Sequence, residues 1–362
     1  MCDEIHSSVP TEKLHQNNYD EIQLPVIRLF FTVIGYLAMS VAVADSTLID
    51  GRYNQKIFRQ FERSSQTFQV AMNGDNDIQK MDLTFSIDGK KQQYILYSPT
   101  SYQADQQYPL LIVVQGVNSK PHRFIRSTGF AELADQYGIL VAFVQPEDND
   151  GWERIIAAKN NTYSANYIRA LLTTIAARKN VRRDQIYLTG FSLGGMLVLS
   201  AMCELYDTVA AFAVVSASLP KQLKTSCAVQ KAVPAIIIAS RDDPYIPWNG
   251  GKFAYDMNGI TDLQLLSIFD TSELWRTANG CDARPLIEPL TNLDATDGTT
   301  VTRLAYDFKC VSNAPVLVYA ITGGGHSWPG SRYKLRSFEG SISRDLDATK
   351  VIWNFFNQGK KK

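Results

Sequence analysis

Histidine is scarce in this chain of 362 residues, and acidic and basic residues balance. No histidine lies beside a cysteine at ligand spacing, so we predict no metal centre. Lysine and arginine number 36, as do aspartate and glutamate, which gives a formal net charge of zero. A chain without a basic excess lacks a general attraction for phosphate backbones, so we expect no nucleic-acid partner. The four histidines are His6, His15, His122 and His326.

The composition is that of a folded globular protein. Apolar residues make up 45% of the chain and aromatic residues 11%, which is far from the composition of a disordered protein. The sequence contains neither an internal repeat nor a linker rich in proline, serine or threonine. We therefore predict one domain over residues 66–358, preceded by a linker at residues 45–65 and followed by a basic tail at residues 359–362.

The first 44 residues are predicted to be an export leader. Residues 1–24 are polar and acidic, Arg28 follows them, and residues 29–43 form an uncharged apolar stretch that runs into Ala44. A cation, a short apolar run and an A-x-A sequence are typical of a signal peptide, here with cleavage after Ala44. The mature protein would then be secreted or periplasmic, with no membrane association. The alternative is a retained anchor helix, because residues 26–44 nearly reach the length that spans a bilayer.

Four of the five cysteines lie outside this leader. An even number in an exported chain permits two disulfides. Cys281 and Cys310 flank a stretch rich in turn-forming residues, and we predict that they pair. Cys203 would then pair with Cys227, for which two buried free thiols are the alternative.

The body of the sequence alternates short apolar runs with helical segments, which predicts an α/β fold. The runs are continuous rather than alternating, so we expect a mostly parallel central sheet with helices on both faces. Residues 82–99 alternate about Asp88-Gly89, which predicts an antiparallel N-terminal hairpin. The predicted strands begin at Pro109, Ile139, Gln185, Ala210, Pro234 and Val316, and the predicted helices cover residues 124–138, 164–180, 193–206, 271–280 and 345–358.

A G-x-S-x-G motif from Gly190 to Gly194 lies between a predicted strand and an apolar helix. In that context the serine occupies a strained turn, where its hydroxyl is exposed as a nucleophile. The alternative is a glycine-rich turn that binds an anion at a helix N-terminus. Phosphate binding would require a lysine after the last glycine of the run, Gly195, and Met196 stands there instead. We predict that Ser192 is the nucleophile.

A serine hydroxyl needs a base within hydrogen-bonding reach. When the serine lies in such a strand–turn–helix motif, the acid and then the histidine follow it along the chain. His122 precedes Ser192, whereas His326 follows it, in a glycine-rich loop after the predicted strand at Val316. We therefore predict that His326 is the base.

Two adjacent carboxylates, Asp242 and Asp243, follow the predicted strand at Pro234. Neighbouring side chains point in different directions, so one of the two is expected to reach the imidazole. Asp243 precedes a proline, and a second proline follows closely, which indicates a rigid turn. We predict Asp243 as the acid and a surface or supporting position for Asp242.

The oxyanion of a tetrahedral intermediate needs two backbone donors. We predict the N–H groups of Leu193, which follows the nucleophile, and of Val117, which lies in the loop after the first parallel strand. Tyr245, Trp248 and Trp328 flank the predicted acid and base, and they are candidates for a wall that binds an aromatic acyl or sugar group. Core packing is the alternative for each of the three.

These motifs resemble those of the α/β-hydrolase esterases that are grouped with polyhydroxybutyrate depolymerases and feruloyl esterases. The resemblance covers residues 95–356 and rests on GFSLGG around Ser192, RDDPYIPWNGG around Asp243, GGGHSWPG around His326 and the later DATKVIWNFF. It implies an α/β-hydrolase fold and ester hydrolysis through an acyl-enzyme, without a cofactor, in an exported protein. Cys281 and Cys310 also match cysteines of this group, which favours their pairing.

The sequence departs from this group at Gln115-Gly116, where His-Gly is usual. The backbone donor survives that change, but the support of the loop differs and low turnover is expected. No polymer-binding module follows residue 358, so we expect soluble small-molecule or oligomeric substrates. These are hydroxyalkanoate oligomers, feruloyl or acetyl esters, and short acyl esters. The alternatives are a serine peptidase or amidase on the same fold, and a binding domain whose catalytic site has decayed.

Overall fold

The computed structural model describes residues 80–117, 121–146, 161–254, 262–332 and 339–358. The described residues belong to one compact unit. The predicted leader, linker and basic tail lie outside them, as do residues 66–79 of the predicted domain. Of the helices in the described ranges, none combines the length and the apolar character that crossing a bilayer requires.

Twelve strands lie among the described residues. They are β1 (Lys80–Ile87), β2 (Lys90–Tyr97), β3 (Tyr108–Val114), β4 (Leu140–Val144), β5 (Val181–Phe191), β6 (Ala211–Val215), β7 (Ala235–Ser240), β8 (Gly251–Lys252), β9 (Gln264–Leu265), β10 (Leu286–Pro289), β11 (Thr300–Tyr306) and β12 (Val316–Thr322). Ten of them form a mixed sheet at the centre of the described chain, in the order β1-β2-β4-β3-β5-β6-β7-β12-β11-β10. A separate two-stranded sheet contains β8 and β9.

The parallel part of the sheet runs from β4 through β3, β5, β6 and β7 to β12. Each of its strands coincides with one of the apolar runs from which the sequence predicts strands. Their residues are buried on both faces, which explains why the runs are continuous rather than alternating. The prediction of a mostly parallel central sheet is confirmed.

The predicted N-terminal hairpin is also confirmed. Ile87 of β1 pairs with Lys90 of β2, and Asp88 and Gly89 form the turn with φ angles of 49° and 75°. Positive φ angles at both central residues are typical of a two-residue type I′ turn, whose twist matches that of the two antiparallel strands it joins.

The opposite edge of the sheet was not predicted. There β10 and β11 continue the sheet antiparallel to β12. The four residues of β10 are largely exposed and end at Pro289. The stretch that leads to β11 is rich in turn-forming residues, and neither pattern is a strong strand signal.

Six α-helices lie among the described residues, and they cover both faces of the sheet. They are α1 (Pro121–Thr128), α2 (Phe130–Tyr137), α3 (Thr162–Ala176), α4 (Leu193–Met202), α5 (Ile268–Ala278) and α6 (Ala348–Gln358). Residues of α3, α4 and α5 belong to one core cluster, and residues of α1, α2 and α6 to a second cluster on the other face. The predicted helix at residues 124–138 is two helices, because Gly129 between them has a φ of 71°.

Both predicted cysteine pairs are disulfide-bonded in the structure. Cys203, directly after α4, is bonded to Cys227. Cys281, shortly after α5, is bonded to Cys310, which follows β11. Because Cys203 and Cys227 are bonded to each other, the alternative of two buried free thiols is wrong.

Candidate active site

The three predicted catalytic side chains lie at one edge of the sheet. Ser192 directly follows β5, Asp243 follows β7, and His326 follows β12. The carboxyl ends of parallel strands meet at the same edge, where open α/β sheets bind their ligands. All three residues are buried, with between 6% and 9% of their surface exposed.

Ser192 sits in a sharp turn between β5 and α4, with φ 56° and ψ −127°. A non-glycine residue at such a positive φ is strained and persists where the surrounding structure holds it. A Cβ atom at Gly190 would lie 2.4 Å from the carbonyl oxygen of Gly194, and one at Gly194 would lie 2.4 Å from that of Gln115. The two glycines of the motif are therefore required by close backbone contacts.

A chain of hydrogen bonds joins the three side chains. The Oγ of Ser192 lies 2.8 Å from the Nε2 of His326, and the Nδ1 of His326 lies 2.8 Å from the Oδ2 of Asp243. An ionised carboxylate accepts hydrogen bonds, so the hydrogen of a neutral imidazole resides on Nδ1 and Nε2 is the acceptor. The Ser192 hydroxyl therefore donates to Nε2. His122 lies on the exposed start of α1, outside this chain of hydrogen bonds.

Asp243 is held in place through its second oxygen. Its Oδ1 accepts hydrogen bonds from the backbone N–H groups of Tyr245 at 2.9 Å and Ile246 at 3.0 Å. Its side chain is 1% exposed, so both oxygens depend on these partners. The turn predicted from the prolines thus aims one carboxylate oxygen at His326.

The neighbouring Asp242 supports the loop that carries His326. Its exposed carboxylate accepts a hydrogen bond from the N–H of Gly323 at 2.7 Å. The Oγ of Ser240 donates to the carbonyl of Gly324 at 2.6 Å. The end of β7 therefore holds the loop at two points besides the contact between Asp243 and His326.

The other side of this loop is held by a segment, residues 339–341, that was not predicted to contribute to the site. The N–H of Gly325 donates to the carbonyl of Ser341 at 2.9 Å, and that of His326 donates to the carbonyl of Glu339 at 2.6 Å. A Cβ atom at Gly325 would lie 1.9 Å from the carbonyl oxygen of Glu339. Backbone carbonyls carry no residue-specific signal, which explains why sequence reasoning missed this support.

The predicted oxyanion donors lie beside Ser192. Leu193 is the first residue of α4, so its N–H belongs to the first turn, which has no acceptor within the helix. A Cβ atom at Gly116 would lie 3.1 Å from the Cβ of Ser192, which brings the loop containing Val117 against the nucleophile. The N–H of Ser192 itself is taken, because it donates to the carbonyl of Val215 at 3.0 Å. The roles of Leu193 and Val117 stay predictions.

Two of the three predicted wall aromatics lie partly exposed. The ring of Tyr245 meets that of His326 edge-on, with 5.0 Å between the ring centres. The guanidinium group of Arg241 lies 4.3 Å from the centre of the Trp248 ring. Tyr245 therefore contacts the proposed base and Trp248 contacts a cation, and both side chains also pack against the first core cluster.

Trp328 is a core residue, which corrects its prediction as part of a substrate wall. It is 2% exposed, and its indole N–H donates to the Oγ1 of Thr349 at 2.9 Å. Its ring packs edge-on against Phe124 and Phe130, with ring centres 5.9 and 5.7 Å apart. These contacts engage both the ring and its N–H group, so Trp328 packs in the core, which was the alternative to its role in a substrate wall.

The strand order and the serine turn after the fifth strand define an α/β-hydrolase fold. A family model described as a putative esterase matches residues 86–288, which is more than half of the chain. The chain therefore belongs to this esterase family, as its motifs suggested, and it is a carboxylic ester hydrolase.

Relatives with curated names include two esterases. The chain is 26% identical over 281 residues to the "Putative esterase NocK" of Nocardia uniformis subsp. tsuyamanensis, covering 75% of this chain and 80% of the relative. It is 23% identical over 239 residues to "Feruloyl esterase B" of Piromyces equi, covering 64% of this chain and 42% of that longer protein.

Among solved structures, the chain is similar to an acetyl xylan esterase from Aspergillus awamori with a TM-score of 0.46 and 13% identity. That match covers 71% of this chain and 93% of the other.

Proposed function

We propose that this protein is an exported serine esterase that hydrolyses carboxylic esters through an acyl-enzyme. The observation that carries the proposal is the chain of hydrogen bonds from Ser192 through His326 to Asp243, with both distances 2.8 Å. A serine whose hydroxyl donates to an imidazole, which is itself oriented by a carboxylate, is equipped for nucleophilic catalysis.

In the first half of the reaction, the Oγ of Ser192 attacks the ester carbonyl carbon while its proton moves to the Nε2 of His326. The negative charge on the former carbonyl oxygen is stabilised by the N–H groups of Leu193 and Val117. When the tetrahedral intermediate collapses, the bond to the alcohol oxygen breaks, and His326 returns the proton to that oxygen. The alcohol leaves and the acyl group stays on Ser192.

In the second half, a water molecule attacks the acyl carbon and gives a proton to His326. The bond to Ser192 then breaks, and His326 returns the proton to the serine oxygen. Asp243 keeps its negative charge throughout, holds Nδ1 in its protonated form and stabilises the imidazolium. Burial of all three residues strengthens these interactions, because little water competes for them.

The proposed substrates are soluble feruloyl, acetyl or short acyl esters and hydroxyalkanoate oligomers. The printed name of the Piromyces equi relative, a feruloyl esterase, supports the first of these. Export is supported by the two disulfide bonds, because such bonds persist in oxidising compartments. It is further supported by the signal-like pattern of the first 44 residues.

A matched pair of substrates tests the reaction class. p-Nitrophenyl butyrate and butyryl p-nitroanilide present the same acyl group with an ester or an amide bond. We expect a higher kcat/KM for the ester, because the aryloxide is a better leaving group and the proposed site has no feature specific to amides. A preference for the anilide would favour the peptidase or amidase alternative, and inertness toward both would favour a binding domain.

A further inference from the structure

A cavity of about 310 Å³ lies beside the predicted oxyanion loop, where β3 and β4 end next to the middle of β2. Its volume falls in the range of pockets that hold small ligands. It is bounded by amide side chains, by apolar ones and by the imidazole of His122. Its amide and apolar lining includes Gln93, Ile95, Gln115, Pro121, Phe143 and Gln145.

Two of these glutamines face the same side of the sheet because of strand alternation. Val113 of β3 and Phe143 of β4 belong to the second core cluster, and side chains two residues apart share a face. The N–H of Gln115 donates to the carbonyl of Val144 at 2.9 Å, so the pairing of the two strands continues beyond β3. Gln115 and Gln145 therefore enter the cavity side by side.

Both amides have an unused acceptor. Gln115 is 1% exposed, and within the part of the chain that the structure describes its Oε1 has no hydrogen-bond partner. The buried Oε1 of Gln145 is in the same situation. Burying such an acceptor without a donor is unfavourable, so a group with hydrogen atoms to donate is the expected occupant of the cavity.

The chemistry of the walls favours a hydroxyl-bearing occupant over an ion. A carboxamide offers both an acceptor oxygen and a donor NH₂ group, and a hydroxyl can satisfy either one. Ile95, Pro121 and Phe143 supply apolar surface that suits the C–H groups of the same molecule.

The cavity lies close to the nucleophile. Gln115 precedes Gly116, at which a Cβ atom would lie 3.1 Å from the Cβ of Ser192. A substituent of an ester bound at Ser192 could therefore extend past this loop into the cavity. We propose that the cavity is a subsite for a hydroxyl-bearing portion of the ester, held by the amides of Gln115 and Gln145. This inference rests on the proposed esterase function.

Two substrate pairs test the subsite and distinguish the two possible sources of the hydroxyl. Glycerol monoacetate and propyl acetate differ in the hydroxyls of the alcohol portion, whereas ethyl 3-hydroxybutyrate and ethyl butyrate differ in a hydroxyl of the acyl portion. We expect Gln145→Leu to lower kcat/KM about tenfold for the hydroxylated member of one pair, as the loss of about one hydrogen bond would. It should lower kcat/KM less for the unhydroxylated member of that pair.

Gln107→Leu is the matched control, because it makes the same change at an exposed residue. Gln107 lies just before β3, at the amino-terminal end of that strand, whereas the cavity lies at its carboxyl end. We expect it to behave as the parent does with all four esters. Equal effects of Gln145→Leu on both members of each pair, or no effect on any, would overturn the subsite.

Binding without turnover separates this inference from the proposed function. Saturation-transfer NMR can measure the affinity of Ser192→Ala protein for glycerol monoacetate and for ethyl 3-hydroxybutyrate. Adding Gln145→Leu should weaken the binding of one of them about tenfold. If affinity for both is unchanged, the subsite is rejected whether or not the protein hydrolyses esters. If the parent protein hydrolyses none of the esters but binding still depends on Gln145, the proposed esterase function is rejected and the binding site is not.

Discussion

Ser192→Ala is expected to lower kcat/KM for p-nitrophenyl butyrate at least about 10⁴-fold, since removing the nucleophile of a serine hydrolase abolishes acyl-enzyme formation. The Oγ of Ser192 is the atom that donates to the Nε2 of His326, so an alanine leaves the imidazole with no hydroxyl to activate. The loss should appear in kcat, because the substituted atom acts in the transition state rather than in substrate binding.

Ser200→Ala provides a control on the same helix. Ser200 is fully buried in α4, and its Oγ donates to the Oδ1 of Asn161 at 3.1 Å. Its removal should cost about 1 kcal/mol of unfolding free energy and leave kcat/KM close to that of the parent. Both variants should show the parent's far-ultraviolet circular dichroism. A Ser192→Ala protein that retains more than about a tenth of the activity would contradict the assignment of the nucleophile.

Asp243→Asn is expected to lower kcat roughly 10⁴-fold through the tautomer of His326. Two backbone N–H groups, those of Tyr245 and Ile246, donate to one oxygen of Asp243. An asparagine must keep its oxygen on those donors, which turns its NH₂ group toward the Nδ1 of His326. The Nδ1 must then accept, the hydrogen moves to Nε2, and the imidazole can no longer take the proton of Ser192.

Asp242→Asn makes the same change one residue earlier and should lower kcat less than about tenfold. An asparagine oxygen can still accept the hydrogen bond from the N–H of Gly323, and the residue is exposed. Steady-state kinetics of the two variants on one ester distinguish the adjacent carboxylates. The reverse order of effects, with Asp242→Asn the more damaging, would move the role of the acid to Asp242.

Much of the fold could be predicted from the sequence. In the parallel part of the sheet, the apolar pattern of each strand matches the burial of that strand in the folded protein. The apolar runs of β3 and β7 are continuous because both faces of each strand are covered. The strands β10 and β11 could not be predicted in this way. Their residues are partly exposed and their pairing depends on β12, so propensity and burial give weak signals there.

The positions of Ser192, His326 and Asp243 follow from chain order and from the turns that carry them, which are local features. The packing of Trp328 depends on Phe124 and Phe130, which lie far away along the chain, so proximity in sequence to the base was a poor guide to its role.

The cavity beside the oxyanion loop could not be predicted from the sequence either. The pairing of Gln115 with Gln145 arises from the alignment of two strands that are separated by two helices. Gln115 stood out in the sequence as a departure from the related esterases, but its unpartnered oxygen is visible only in the folded chain.

Covalent labelling detects an activated nucleophile directly and requires no assumption about the substrate. The protein is treated with a fluorophosphonate, digested, and the modified peptide is sequenced by mass spectrometry. We expect one phosphonyl adduct, on Ser192, whose formation is abolished in Ser192→Ala and strongly slowed in Asp243→Asn. An unlabelled parent protein, or an adduct on another residue that persists in Ser192→Ala, would contradict it.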